Sequence, residues 1–107
     1  MKFRRQLILG ILCLSGYGNA LAVTQIVGHV TIVEPSYLPG TITFQMDTGS
    51  SACPAGSWLY WINSNVDNVK GVYATLLSAV TSGHQVSVYF NDGDTSCYAQ
   101  HIWLWSN

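Results

Sequence analysis

From residue 24 onward the apolar positions repeat with a period of two, then at three- and four-residue steps, then with a period of two again. Gly28 to Val33 alternates as a strand that starts nearer Thr24. Gly28, Val30 and Ile32 fall on one face of it, and His29, Thr31 and Val33 on the other. Pro35, Pro39 and Gly40 punctuate a turn. Thr41 to Met46 reads as a second strand that turns Ile42, Phe44 and Met46 to the core and Thr41, Thr43 and Gln45 to solvent. Asp47 to Gly56 is rich in Gly, Ser and Pro and reads as a loop. Trp58 to Asn63 is an aromatic third strand, with Trp58 and Tyr60 on one face and Trp61 on the other. The helical period then places Val69, Val72, Tyr73, Leu76 and Val80 on one face of a helix over residues 68–82, with Asp67 as N-cap and Gly83 just past its end. Gln85 to Phe90 predicts a fourth strand with Val86, Val88 and Phe90 inward. Asn91-Asp92-Gly93-Asp94 makes a tight turn, and Cys97 to Trp105 is the fifth strand.

Three strands, a helix and two strands predict a mainly β chain with one α-helix. The order is that of a five-stranded OB-like barrel (β-β-β-α-β-β), whose helix lies between the third and fourth strands. The alternative is an open α+β sheet with one packed helix. Closure protects the edges of such short strands, which favours the barrel.

The first twenty-two residues change the domain picture. Lys2, Arg4 and Arg5 precede an apolar run from Leu7 to Leu14, and Ala20-Leu21-Ala22 forms an A-x-A cleavage pattern. The run is well short of the ~20 residues of a spanning helix. The reading is therefore a signal peptide over 1–22 and a single secreted or periplasmic domain over 23–107, with a bacterial source suggested by the short tripartite signal. Cys13 leaves with the signal, so Cys53 and Cys97 remain to form one structural disulfide in an oxidising compartment.

Of the 107 residues, 49% are hydrophobic and only 8% charged. Beyond residue 22 the sole Lys or Arg is Lys70, against Glu34, Asp47, Asp67, Asp92 and Asp94. Such a surface offers phosphates almost no counter-charge, which argues against nucleic acid and anionic membranes as partners.

Two segments carry a resemblance. Lys70-Gly71-Val72-Tyr73-Ala74-Thr75-Leu76-Leu77-Ser78-Ala79, followed by Ser82-Gly83-His84-Gln85-Val86-Ser87-Val88-Tyr89, resembles small secreted bacterial proteins of unassigned role. Over most of residues 24–105 the layout is also similar to the B subunits of AB5 toxins, notably the subtilase-cytotoxin type. That resemblance implies an OB fold, a pentamer and binding of cell-surface glycans, without assigning sugar contacts to particular residues.

Few residues suggest catalysis. Phe44-Gln45-Met46-Asp47-Thr48-Gly49-Ser50-Ser51 resembles the active-site segment of aspartic proteases, in which two carboxylates share a proton. One such Asp would require a dimer, and the later apolar-apolar-Gly pattern of those enzymes has no counterpart here. The ordinary reading is a chain reversal by Asp, Gly and Ser. His29, His84 and His101 have no second ligand at i+2 or i+4, so no metal site is assigned. Asn91 to Asp94 falls short of a calcium loop. Ser50 and Ser51 lack a nucleophile-elbow context. The chain reads as a non-enzyme without a cofactor.

Aromatic residues are the better clue. Eleven lie beyond residue 22. Alternation turns Tyr89 outward on the fourth strand and His101, Trp103 and Trp105 outward on the fifth. Trp58 and Tyr60 share a face of the third. Such a stripe stacks on sugar rings, forms a protein interface, or becomes core if the facing is inverted. Tyr89, His101, Trp103, Trp105, Trp58 and Tyr60 are accordingly the candidate binding residues. The leading expectation is a secreted binding domain that forms homo-oligomers, with a pentamer allowed, and recognises glycans or another secreted protein. An inhibitor or accessory protein of a hydrolase, acting through residues 47–56, is the alternative, and a dimeric aspartic protease a distant one.

Overall fold

A computed structural model describes residues 22–107. The expected signal peptide lies outside them, apart from Ala22. In chain order the elements are β1 (Val23–Gly28), β2 (Val30–Glu34), β3 (Thr41–Met46), β4 (Leu59–Ile62), α1 (Val66–Ser82), β5 (Val86–Asn91) and β6 (His101–Leu104). No helix among the described residues is long and apolar enough to cross a membrane.

The strands form two three-stranded antiparallel sheets, β1-β5-β6 and β2-β3-β4, with α1 packed chiefly on β2. The chain is thus mainly β with one helix, as expected. It is not a closed five-stranded barrel, and it agrees better with the open alternative. The two sheets approach each other twice. β1 and β2 are separated by His29 alone, and a parallel bridge joins Tyr60 of β4 to Tyr98, just ahead of β6. In that bridge the Tyr60 N–H donates to the Cys97 carbonyl (3.0 Å), and the Ala99 N–H donates to the Tyr60 carbonyl (2.8 Å).

The single strand expected over residues 28–33 is two strands because a distant segment bends it. The Asp47 carboxylate accepts the His29 N–H (2.7 Å) and contacts the His29 ring (3.0 Å). The Thr48 hydroxyl donates to the Val27 carbonyl (2.8 Å). Gly28 is needed at the bend because a Cβ there would collide with Asp47 and Thr48. A register shift between Val30 and Ile32 then reverses the predicted facing. Ile32 is exposed, and Val33 packs against the core.

On β3 and β5 the expected inward residues are inward, but Thr43, expected in solvent, is buried by its neighbours on the opposite face. Ile42, Phe44, Met46, Val86, Val88 and Phe90 are buried together with Leu59 and with Val69, Leu76 and Ala79 of α1. The helix starts earlier than expected, and its N-cap is Asn65 rather than Asp67. The Asn65 side chain accepts the Asn68 N–H (2.9 Å), while Asn63 accepts the Asn65 N–H (2.8 Å). Gly83 closes the helix at φ 79° and donates its N–H to Ala79, as a left-handed cap should.

Candidate functional site

The six candidate residues do not form one site. The two sheets divide them between two faces.

On the outer face of β2-β3-β4, pairing sets Glu34 beside Thr43 and Thr43 beside Tyr60, and the parallel bridge sets Tyr60 beside Tyr98. These four side chains form a row across the strands. At about 4.8 Å per strand the row runs about 14 Å. The Thr43 hydroxyl donates to the Glu34 carboxylate at 2.9 Å, and Thr43 is only 5% exposed. The Tyr60 and Tyr98 rings meet edge to face with centroids 5.8 Å apart. A depression of about 470 Å³ lies over this row, walled also by Tyr37, Thr41, Trp58 and Ile62. A second, of about 650 Å³, adjoins it and is lined also by Ala52, Ser57, Thr95, Ser96 and Cys97. Trp58, Tyr60 and Tyr98 border both, and the two neighbouring depressions are together called the trough below.

Local chemistry fixes the trough's walls. Asp94 accepts the N–H groups of Ser96 (2.8 Å) and Tyr98 (3.1 Å), so its carboxylate shapes the loop that presents Tyr98. The Cys53–Cys97 disulfide, across 44 residues of sequence, ties that loop to the one preceding Trp58. The Cys53 loop closes on itself through Ser50 N–H to the Cys53 carbonyl (2.9 Å) and Cys53 N–H to the Ser50 hydroxyl (3.1 Å). Gly49 sits so close to the backbone of residues 53–55 that a Cβ there has no room.

On the outer face of β1-β5-β6, Gln25, Tyr89 and His101 align in register, and so do Val27, Ser87 and Trp103. The Tyr89 ring lies 6.2 Å from His101 and 5.1 Å from Trp103, centroid to centroid. The Ser87 hydroxyl, fully buried on this face, accepts from Trp105 Nε1 (2.8 Å) and Gln25 Nε2 (3.2 Å). Trp103 and Trp105 remain 54% and 44% exposed, so the facing is not inverted. Ile102 packs on the core as expected, but Leu104 does not.

The sequence reading missed Glu34, Tyr37, Thr43 and Tyr98. Their common position depends on strand register and on the bridge, although a Cys53–Cys97 disulfide already brings Tyr98 near the Trp58 segment.

The remaining candidates take structural places. Asp47 is held below the ordinary carboxylate range, first by the His29 N–H and then by the His29 ring, with partial burial opposing. Its carboxylate serves the bend between β1 and β2. Asn91 to Asp94 is a turn closed by the Asp94 N–H on the Asn91 carbonyl (3.1 Å), with Gly93 at φ 77°. Among the described residues, no group of three or more His, Cys, Asp or Glu is placed to hold a metal ion. Comparison of the chain with protein-family models, curated proteins and solved structures gives no match.

Proposed function

We propose that this chain is an exported, non-enzymatic carbohydrate-binding domain, and that the trough over Tyr60 and Tyr98 is its binding site. The observation that carries the reading is the row of Glu34, Thr43, Tyr60 and Tyr98. It sets a carboxylate and hydroxyls beside aromatic rings, one on a strand and one on the disulfide-anchored loop bridged to it, the mixture that matches a sugar's hydroxyls and its apolar C–H face. The Cys53–Cys97 disulfide is compatible with an oxidising compartment and so supports export.

The connectivity supports a finer reading of the fold. Taking β1 and β2 as one strand bent at His29, the order of pairing runs through β3, β4, the parallel bridge at Tyr98, β6 and β5, and back to β1. This is the order of a partly open OB-like barrel. In such folds ligands lie across the second and third strands, between the first and last loops. Tyr37 and Thr95 occupy those two loops here. Self-assembly would then add avidity to weak single-site binding.

The test is a glycan array probed with the chain purified from an oxidising compartment. The wild type should retain a subset of glycans, and Tyr60→Ala should lose them while Trp103→Ser keeps them. Absence of any glycan binding refutes the proposal.

A second reading rests on the other face. Trp103 and Trp105 stand exposed on a sheet face whose side chains are already fixed by the Ser87 and Gln25 hydrogen bonds. Rigid exposed tryptophans suit protein contact. If Trp103→Ser changes the solution mass of the chain, the contact is with a second copy.

A further inference from the structure

The trough's charge narrows what can lie in it. Among the described residues, Glu34 is the only formally charged one lining the first depression, and the second is lined by Ser57, Thr95 and Ser96 hydroxyls with no charged side chain. Lys70, the only Lys or Arg among the described residues, belongs to α1 and lines neither. None of the three histidines lines them either. An acidic sugar would bring its carboxylate or sulfate toward Glu34 with no counter-charge within the trough, and like charges brought together in a partly desolvated site repel.

A neutral sugar meets the opposite situation. A carboxylate offers about four lone-pair directions. The Thr43 hydroxyl takes one of them. Among the described residues no other group bonds this carboxylate, and its remaining lone pairs suit the paired hydroxyls of adjacent ring carbons in charge-assisted hydrogen bonds. Because the Tyr60 and Tyr98 rings stand perpendicular, one presents its face and the other its edge to the sugar as it continues toward the second depression, where hydroxyl groups both donate and accept. Because Trp58, Tyr60 and Tyr98 border both depressions, the bound chain extends past one ring.

We infer that the trough selects uncharged oligosaccharides, reading adjacent hydroxyls through Glu34 and passing over Tyr60 and Tyr98 from one depression to the other. The inference rests on the carbohydrate reading and adds to it the charge and the length of the ligand.

The test uses calorimetry with matched probes: a neutral trisaccharide retained on the array, its sialylated and sulfated forms, a form bearing a free amine, and its constituent monosaccharides. Wild type should bind the neutral trisaccharide at least tenfold more tightly than either acidic form, and more tightly than any of the monosaccharides. Glu34→Gln preserves shape and the Thr43 contact, so it should fold as wild type, weaken the neutral trisaccharide about tenfold and narrow the neutral-to-acidic ratio. Equal or tighter binding of the acidic forms overturns the inference and leaves the carbohydrate reading intact. Tenfold tighter binding of the amine form, or unchanged neutral binding by Glu34→Gln, also overturns it. If the array retains only acidic glycans, the inference falls alone; if it retains none, the carbohydrate reading falls with it.

Discussion

Removing the Cys53–Cys97 disulfide tests the part of the structure that joins fold to site. The bond closes a loop across 44 residues of sequence. On the chain-entropy account, opening a loop of that size costs about 4 kcal/mol of stability. A domain of about 85 residues unfolds with an entropy near 180 cal/mol/K, so the melting temperature should fall by roughly 20 °C. The bond also anchors Cys97, which has φ 61° in the left-handed region and whose carbonyl accepts the Tyr60 N–H. Loosening it should therefore disturb the trough before the rest of the protein. The assay is thermal unfolding of the Cys53→Ala/Cys97→Ala double variant by circular dichroism, paired with backbone amide spectra at a temperature where it is folded. Amide shifts should concentrate in residues 49–60 and 94–100 and leave β1 and β5 nearly unchanged. A melting temperature within about 5 °C of wild type, or shifts spread evenly over both sheets, would refute the reasoning.

Three further perturbations address individual devices. Gly49→Ala should destabilise by about 2 kcal/mol in urea unfolding, because the new methyl group meets backbone at residues 53–55 that no rotamer change can move. Gly83→Ala should cost about 1 kcal/mol by the same assay. Its Cβ would meet nothing within 4 Å, so that cost is conformational alone. Asp47 is titrated below the ordinary carboxylate value by His29. Its contribution to stability is therefore complete above the ordinary carboxylate range and is lost as pH falls through its lowered folded value. Asp47→Asn should flatten stability against pH in that acidic window, measured by denaturant midpoints, and the reasoning fails if the two profiles run parallel.

What the sequence disclosed depended on how local the cause was. Thr41 to Met46 and Val86 to Phe90 form strands whose apolar positions are buried as their alternation dictates, although Thr43 and Ser87 on the opposite face are covered as well. The α1 face and its Gly83 cap were legible in the same way. The break at His29 was not, because Asp47 and Thr48, eighteen and more residues away, capture the backbone there. The bulge before Ile32 was equally hidden, and a one-residue shift exchanges the faces of everything after it. The N-cap moved to Asn65 because Asn63 fixes its backbone, a contact between two residues whose type alone does not rank them above Asp67. For Trp103 and Trp105 the sequence left an outward and an inverted facing open, and the structure has them exposed. Their division from Tyr60 onto a separate face, and the joining of Tyr60 with Glu34 and Tyr98, required knowing which strands pair.

The central claim is that sugars bind over Tyr60 and Tyr98. The most direct measurement is a backbone amide NMR titration of the wild-type chain with a neutral trisaccharide retained on the glycan array. The account predicts saturable shifts at Glu34, Tyr37, Thr43, Tyr60, Tyr98 and their chain neighbours, with Trp103 and Trp105 unmoved. Shifts confined to Tyr89, His101, Trp103 and Trp105, or no saturable shift at any residue, would contradict it.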